Sequence, residues 1–439
     1  MKKTLQEISD YYFDRFGYGV AHLKTPLHLA TRMIIVIPVH NEPSVTATLD
    51  SLNNCIKPDC QVEVILVVNN SENVEAPIRE QNIKSITEIN SWIKTVTPNH
   101  LNCHVISAMD LPFKHAGVGL ARKIGMDEAL RRFASIDYNG LIVCNDADCT
   151  VEPSYLCALE EQFARPDFVA GNIYYEHPFS EADSTTKSGI VKYELGLRYY
   201  VNALRFAGYP YAYHTIGSSM AVSAKIYAQA GGMNKRKAGE DFYFLHKLIP
   251  LGNFEELNST AVFPSARISH RVPFGTGRAM LKWKEQVDVE QEGDLKTYRL
   301  EVFQDLKKLI ACIHRLRTCE EKTQYDHIVN KLPDSIIAFL EQQDFYKTLL
   351  SCIQQSNSEG AFLKRVYSWL DGFKVLKFVH SCDKRYPRVN VESQANLLLQ
   401  EIRSHECNKF NDQLLLATFR QIDKEHMTIG AFLSSNRKD

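Results

Sequence analysis

A chain of 439 residues is too long for one ordinary core, and with 44% hydrophobic and 23% charged residues it has the make-up of a globular protein of two domains, or of one large domain with an extension. Its formal net charge of −1 excludes a strong overall field and so speaks against nucleic-acid binding through a general basic surface, leaving room only for a local patch. No apolar run approaches the roughly 18 residues that span a bilayer, so no transmembrane segment is expected.

The eleven cysteines are odd in number and include no Cys-x-x-Cys pair, which points to free thiols in a reducing cytoplasm rather than a disulfide framework or a zinc site. The start, Met1-Lys2-Lys3-Thr4, is basic but runs into Asp10 and Asp14 with no apolar stretch, so it does not read as a secretory signal.

Residues 1–30 read as a helical arm, with Leu5, Ile8, Tyr12 and Phe16 at helical spacing before Gly17 and Gly19. Residues 33–39 form the first buried strand. The turn His40-Asn41-Glu42-Pro43 follows, and Ser44 is placed to cap a helix reaching residue 55. Strands over 62–68 and 103–108 alternate with helices over 76–94 and 117–133. That alternation predicts right-handed βαβ units and a mostly parallel sheet. The strands end in polar residues, His40, Asn69, Asp110 and Asp146, which would converge on one edge.

The fourth strand begins at Leu141 and runs directly into Asn145-Asp146-Ala147-Asp148. Four apolar residues in a row suit a strand covered on both faces, and Asp is a poor strand residue, so the two carboxylates belong just past its carboxyl end. Ligands of open α/β sheets bind there, and paired hard oxygen donors suit Mg²⁺ or Mn²⁺ held together with phosphates. Further on, strands are expected at 168–175 and 216–222, with short extended pieces at 262–263 and 267–269. Helices are expected at 187–206 and from 240 to about 249. From 280 to 439 the sequence reads as helices only. The expected domains are therefore an arm (1–30), an α/β domain (31–279) and a helical C-terminal extension (280–439).

Four blocks resemble, in order, the signature segments of family 2 glycosyltransferases of the GT-A fold. Val36-Ile37-Pro38-Val39-His40-Asn41-Glu42 is similar to their opening strand and turn. Gly117-Val118-Gly119-Leu120-Ala121-Arg122-Lys123-Ile124-Gly125 is similar to their Gly-x-Ala-Arg-Asn-x-Gly helix. Asn145-Asp146-Ala147-Asp148 matches their Asp-x-Asp. Gly231-Gly232-Met233 with Gly239-Glu240-Asp241 matches their Gly-Gly-Phe…Glu-Asp segment. The resemblance covers residues 31–280 and leaves out the arm and the extension.

The resemblance implies a GT-A, Rossmann-like α/β fold and a metal-dependent, inverting transfer of a sugar from a UDP- or GDP-linked donor. The acceptor would be a glycan, a lipid-linked molecule or a small molecule. Pro38, His40, Asn41, Glu42, Asn69, Asn70, Lys114, Gly119, Arg122, Asn145, Asp146 and Ala147 would bind the donor nucleotide, with Lys114 and Arg122 offsetting phosphate charge. Asp148 would meet Mg²⁺ or Mn²⁺, with Asp146 against the ribose or the metal and His270 as a third metal ligand or a substrate contact. Arg271 and Arg278, in a Gly-Thr-Gly loop, would close over the diphosphate. Asp241, beside Glu240, would be the general base. Asn69-Asn70-Ser71 stands where the family often has Asp-Asp-Gly/Ser, which leaves uracil and guanine as alternative bases. His214-Thr215 and Gly217-Ser218-Ser219 are candidates for an acceptor floor.

Two other readings fit parts of the pattern. A sugar-phosphate nucleotidyltransferase uses a similar nucleotide half-sheet, though the Glu-Asp segment speaks against it. A noncatalytic scaffold could use the helical extension, though intact Asp146, Asp148 and Asp241 speak against decay. The expected location is the cytoplasm, with the amphipathic helices after residue 280 permitting peripheral contact at the inner face of the membrane.

Overall fold

The computed structural model describes residues 3–96, 100–163, 168–180, 182–269, 275–290, 293–403 and 409–425. The chain divides into two compact units, Met1–Thr186 with Thr215–Lys282, and Lys187–His214 with Trp283–Asp439. Residues 187–214 therefore group with the C-terminal part of the chain, although the sequence pattern placed them inside 31–279.

The first unit contains α1 (Leu5–Arg15), β1 (Thr31–Val39), α2 (Val45–Asn53), β2 (Gln61–Ser71), α3 (Ala76–Thr95), β3 (Leu101–Leu111), α4 (Val118–Ser135), β4 (Leu141–Cys144), β5 (Cys149–Val151), α5 (Tyr155–Phe163) and β6 (Ala170–Tyr175). Helix α6 (Ser184–Phe206) carries the chain into the second unit. Then come β7 (Met220–Ser223), α7 (Ala224–Gln229), α8 (Glu240–Leu248), β8 (Phe254–Pro264) and α9 (Thr276–Glu290).

One eight-stranded sheet has the order β3-β2-β1-β4-β7-β6-β8-β5. Strands β3, β2, β1 and β4 are parallel. Strand β7 is antiparallel to β4 and β6, β8 is parallel to β6, and β5 is antiparallel to β8. Ile34, Ile35, Val36 and Ile37 in the central β1 are fully buried, as a strand covered on both faces requires. Each such side chain stabilises the fold by about 1.5–3 kcal/mol relative to exposure. This is the mostly parallel, helix-flanked sheet that the resemblance implies.

Strand β8 is the main surprise. Its Glu255-Glu256 and Asn258-Ser259-Thr260 carry no apolar alternation, and only 262–263 read as extended. Pairing on one side with β6 and on the other with β5 supplies what local pattern does not.

The arm is fastened to α4 by a buried polar cluster. Thr4 and Glu7 form a capping box at the start of α1. Asp127 of α4 accepts from the Tyr12 and Tyr227 hydroxyls, each at 2.6 Å, and from the Tyr18 amide at 2.9 Å. The Lys123 ammonium donates to the Tyr12 hydroxyl at 2.7 Å. Burial lowers the Lys123 pKa, opposed by Asp127. Removing the Tyr12 hydroxyl leaves Lys123 and Asp127 each short of one buried partner. Tyr12→Phe is expected to destabilise the protein by about 1–3 kcal/mol in chemical unfolding.

The second unit is helical, from Leu300–Leu316 to Asp412–Lys424. The expectation of helices only is corrected by a two-residue antiparallel ladder between Lys296–Thr297 and Val389–Asn390. Tyr199, Phe303, Phe339, Phe362, Phe378 and Phe419 are among its core residues. Within the core, Asp423 pairs with Arg198 at 2.6 Å, Arg205 at 2.8 Å and His214 at 3.0 Å. Burial would raise the Asp423 carboxyl, but His214, Arg198 and Arg205 together hold it well below the usual carboxylate range. His214, a candidate for the acceptor floor, is thus committed to this network.

Candidate functional site

The site begins where β4 stops. Its last residue, Cys144, lies opposite Val36 of β1, and the Val36 carbonyl accepts one further bond, from the Asn145 amide at 3.1 Å. In a parallel ladder, residues of one parity bond to one neighbour. Pro38 shares the parity of Val36, so its missing N–H falls on the side where β4 has already ended and breaks no ladder bond. Beyond that point β1 and β4 part, in the 3-2-1-4 strand arrangement whose crevice binds ligands in open α/β sheets.

The β1–β2 side of the crevice is built from amides. Asn41 has φ 50°, and its amide donates to the Asn82 side chain at 2.8 Å. Asn82 in turn donates to the Asn69 carbonyl at 3.0 Å and the Asn70 side chain at 3.2 Å. His40 Nδ1 lies 2.8 Å from the Asn69 carbonyl. Asn69 and Asn70 are both buried, and the Asn70 amide also donates to the Ser71 carbonyl at 2.9 Å. Asn70 therefore braces the turn. The fully buried Asn145 side chain has no hydrogen-bond partner among the described residues, nor has Oδ1 of Asn69. The Ala147 carbonyl is fixed by the Thr48 hydroxyl at 2.8 Å.

The acidic side of the site is organised by two arginines. Arg122, near the start of α4 and almost fully buried, pairs with Asp146 at 2.5 Å and with Glu240. It bridges the end of β4 to the start of α8. Gly217 lets the guanidinium lie where a Cβ would come within 2.6 Å of Nη1. Gly119 similarly admits the Arg236 carbonyl, which a Cβ would approach to 2.2 Å. The segment leading to Glu240 therefore rests on the helix that carries Arg122. Gly239, at φ 69°, makes the left-handed turn into α8. Glu240 and Asp241 occupy its first turn, where the helix dipole favours negative charge. Burial pushes the Glu240 carboxyl up to about 7; Arg122 pulls it down, while Asp241 and Asp146 push it up. Asp241 is half-buried, and its Oδ1 accepts from the Phe242 amide at 2.7 Å.

Arg267 was not singled out by the sequence reading. Its guanidinium joins the fully buried Glu42 carboxylate, at the end of β1, to Asp148 Oδ2 at 3.2 Å. A signal for it existed. Strand β8 runs parallel to β6 and hence, through the antiparallel β7, in the direction of β4 and β1, so residues just past Pro264 reach the same sheet edge as Asp146.

The structure thus brings together Pro38, His40, Asn41, Glu42, Asn69, Asn145, Asp146, Ala147 and Asp148 around the crevice, with Arg122, Gly119, Glu240 and Asp241 alongside. Lys114 is exposed on the loop before α4 and forms no ion pair among the described residues. Arg278 lies half-buried in the first turn of α9 and forms no ion pair among the described residues. His270 and Arg271 lie outside the described residues.

Residues 34–227 match the family model described as Glycosyl transferase family 2. That segment is a family 2 glycosyltransferase domain. No curated protein matches it. Among solved structures, the chain is similar to S. aureus TarS 1–349 in complex with UDP-GlcNAc, at 14% identity and TM-score 0.40, covering 77% of this chain and 90% of that one. A second is GalNAc-T7 with UDP, GalNAc and Mn²⁺, at 12% identity and TM-score 0.34, covering 68% and 54%. Both likenesses are remote. No helix among the described residues of the transferase is long and apolar enough to cross a membrane.

Proposed function

We propose that the transferase takes its sugar from a nucleoside-diphosphate donor bound in the β1–β4 crevice and passes it, with inversion, to a hydroxyl acceptor activated by Asp241. The observation that carries this reading is the Arg122 bridge. One buried guanidinium ties Asp146, on the donor side, to Glu240, the neighbour of Asp241. Two carboxylate segments 240 − 146 = 94 residues apart are thereby held as one site.

The residues present fit a divalent cation. The Asp146 and Asp148 side chains are 33% and 27% accessible and offer hard oxygen donors. Among the described residues no three His, Cys, Asp or Glu side chains gather into a complete cage. That donor set suits Mg²⁺ or Mn²⁺ shared with substrate phosphates, with Asp148 as its main ligand and Asp146 beside it. Such an ion would supply electrostatic stabilisation of the departing diphosphate.

In the proposed transfer, one Asp241 carboxylate oxygen accepts the acceptor hydroxyl proton. The hydroxyl oxygen forms a bond to the anomeric carbon as the bond from that carbon to the diphosphate oxygen breaks. Oδ1 of Asp241 is fixed by the Phe242 amide, and Oδ2 makes no hydrogen bond among the described residues. Glu240, buried on Arg122, positions this turn. His40, Asn41 and Asn69 line the nucleotide, with UDP and GDP as the two candidates. The ten described cysteines are all free thiols, which supports a reducing, cytoplasmic setting.

A thermal-shift screen of UDP and GDP with and without Mn²⁺ tests the reading. At a ligand concentration a hundredfold above its Kd, stabilisation of about 2.7 kcal/mol is expected. Asp148→Asn should reduce the shift to that seen in EDTA. Equal shifts with Mn²⁺ and with EDTA would remove the metal from the site.

A further inference from the structure

We infer that Arg267 is a resident counter-cation of Asp148, so that a divalent cation enters the site only together with the nucleoside diphosphate. The inference rests on the proposed metal role of Asp148. Arg267 touches Asp148 Oδ2 at 3.2 Å while its other contact, Glu42, is fully buried at the end of β1. The two carboxylates differ in kind. Glu42 is also held in place by the Ser44 amide at 2.9 Å and presents no exposed surface. The Asp148 side chain is 27% accessible and can be approached from solvent. Arg267 itself is 32% accessible and half-buried, and both carboxylates hold its pKa up against burial.

A hard cation taking Asp148 Oδ2 must therefore displace the Arg267 contact, and Arg267 remains anchored through Glu42. Two cations brought close together repel one another. The diphosphate, with its negative charge, relieves that repulsion and gives Arg267 an anionic partner in place of Asp148. A planar guanidinium is suited to either partner, since it pairs equally with carboxylate and phosphate. Cation and nucleotide thus bind with positive coupling, and by linkage each raises the affinity of the other by the same factor. Arg267 is a positioning and gating residue for the metal–nucleotide pair, and its position just past β8 gives that strand a role in donor binding.

Calorimetric titration of Mn²⁺ into the wild-type transferase, with and without whichever of UDP and GDP the thermal screen selects, provides the first test. The nucleotide should tighten Mn²⁺ binding at least tenfold; equal Mn²⁺ affinities in the two titrations would overturn the inference without recourse to any variant. In Arg267→Gln, Mn²⁺ alone should bind about tenfold more tightly while the Mn²⁺–nucleotide pair binds more weakly. Arg267→Lys, which keeps the charge, should retain part of the coupling. A purely structural role for Arg267 would move both affinities in the same direction, and that result would overturn the inference. Asp148→Asn separates the two readings. If it leaves Mn²⁺–nucleotide binding intact, the metal assignment fails; if it abolishes binding while Arg267→Gln changes nothing, only the Arg267 role fails.

Discussion

Replacing Asp241 by Asn is expected to lower kcat by about 10²–10⁴-fold, the usual contribution of a positioned general base. This corresponds to about 2.7–5.5 kcal/mol of activation free energy. The substitution isolates proton transfer from architecture. The amide oxygen of Asn can still accept from the Phe242 amide, so the first turn of α8 keeps its bond. Removing the charge also removes one of the influences that raise Glu240, so Glu240 becomes more ionised and its pairing with Arg122 is kept. Donor affinity, set at the β1–β4 crevice, should be unchanged in calorimetry. The expected signature is a fall in kcat with an unaltered donor Kd. Near-normal turnover would show that Asp241 is not the base. Glu240 is a poor substitute for it, because its carboxylate is buried and engaged by Arg122.

The sequence carried the crevice well and the second half of the sheet poorly, for physical reasons. Strands β1, β2 and β4 are covered on both faces, so their apolar runs stand out, and the polar residues after them mark one edge. Strand β8 is polar for half its length and is held by partners distant in the chain, which no local window records. Arg267 was missed with it. Arg122 was found by its motif, but its bridge from Asp146 to Glu240 was not, because residue type does not reveal which carboxylates a buried guanidinium joins. His214 shows the same limit. A histidine shortly before the Glu-Asp segment reads as a site residue, yet it pairs with Asp423, 209 residues further on. Helix α6 reads clearly as a helix, but its grouping with the C-terminal unit depends on residues far along the chain.

Arg122→Gln is expected to have the largest effect on stability, and that effect should depend on pH. Breaking a buried ion pair by removing one partner typically costs about 3–5 kcal/mol, because the remaining charge is left without compensation. Glu240 can escape this cost by taking up a proton. Its carboxyl already stands at about 7 against a usual 4.5, raised first by burial and lowered by Arg122. A folded-state value above the unfolded one means that the folded protein holds a proton the unfolded chain has released. This contribution to stability is complete below about pH 4.5 and disappears as the pH rises through about 7. Removing Arg122 takes away the influence that lowers Glu240, so the variant carries a neutral Glu240 further into the alkaline range. Its instability should therefore be modest near pH 6 and approach the full cost near pH 9, as read from unfolding midpoints at the two pH values. Activity should fall on both sides of the reaction. Asp146 loses its partner and donor binding weakens, while the turn bearing Asp241 shifts and kcat drops, since misplacement by about 1 Å can cost on the order of 10²-fold. Adding Glu240→Gln to Arg122→Gln removes the stranded charge. Alkaline stability should then recover in the double variant while kcat does not. Additive losses in that cycle would show that Arg122 and Glu240 do not act as a pair, and the bridge between the donor and base halves would fail with them.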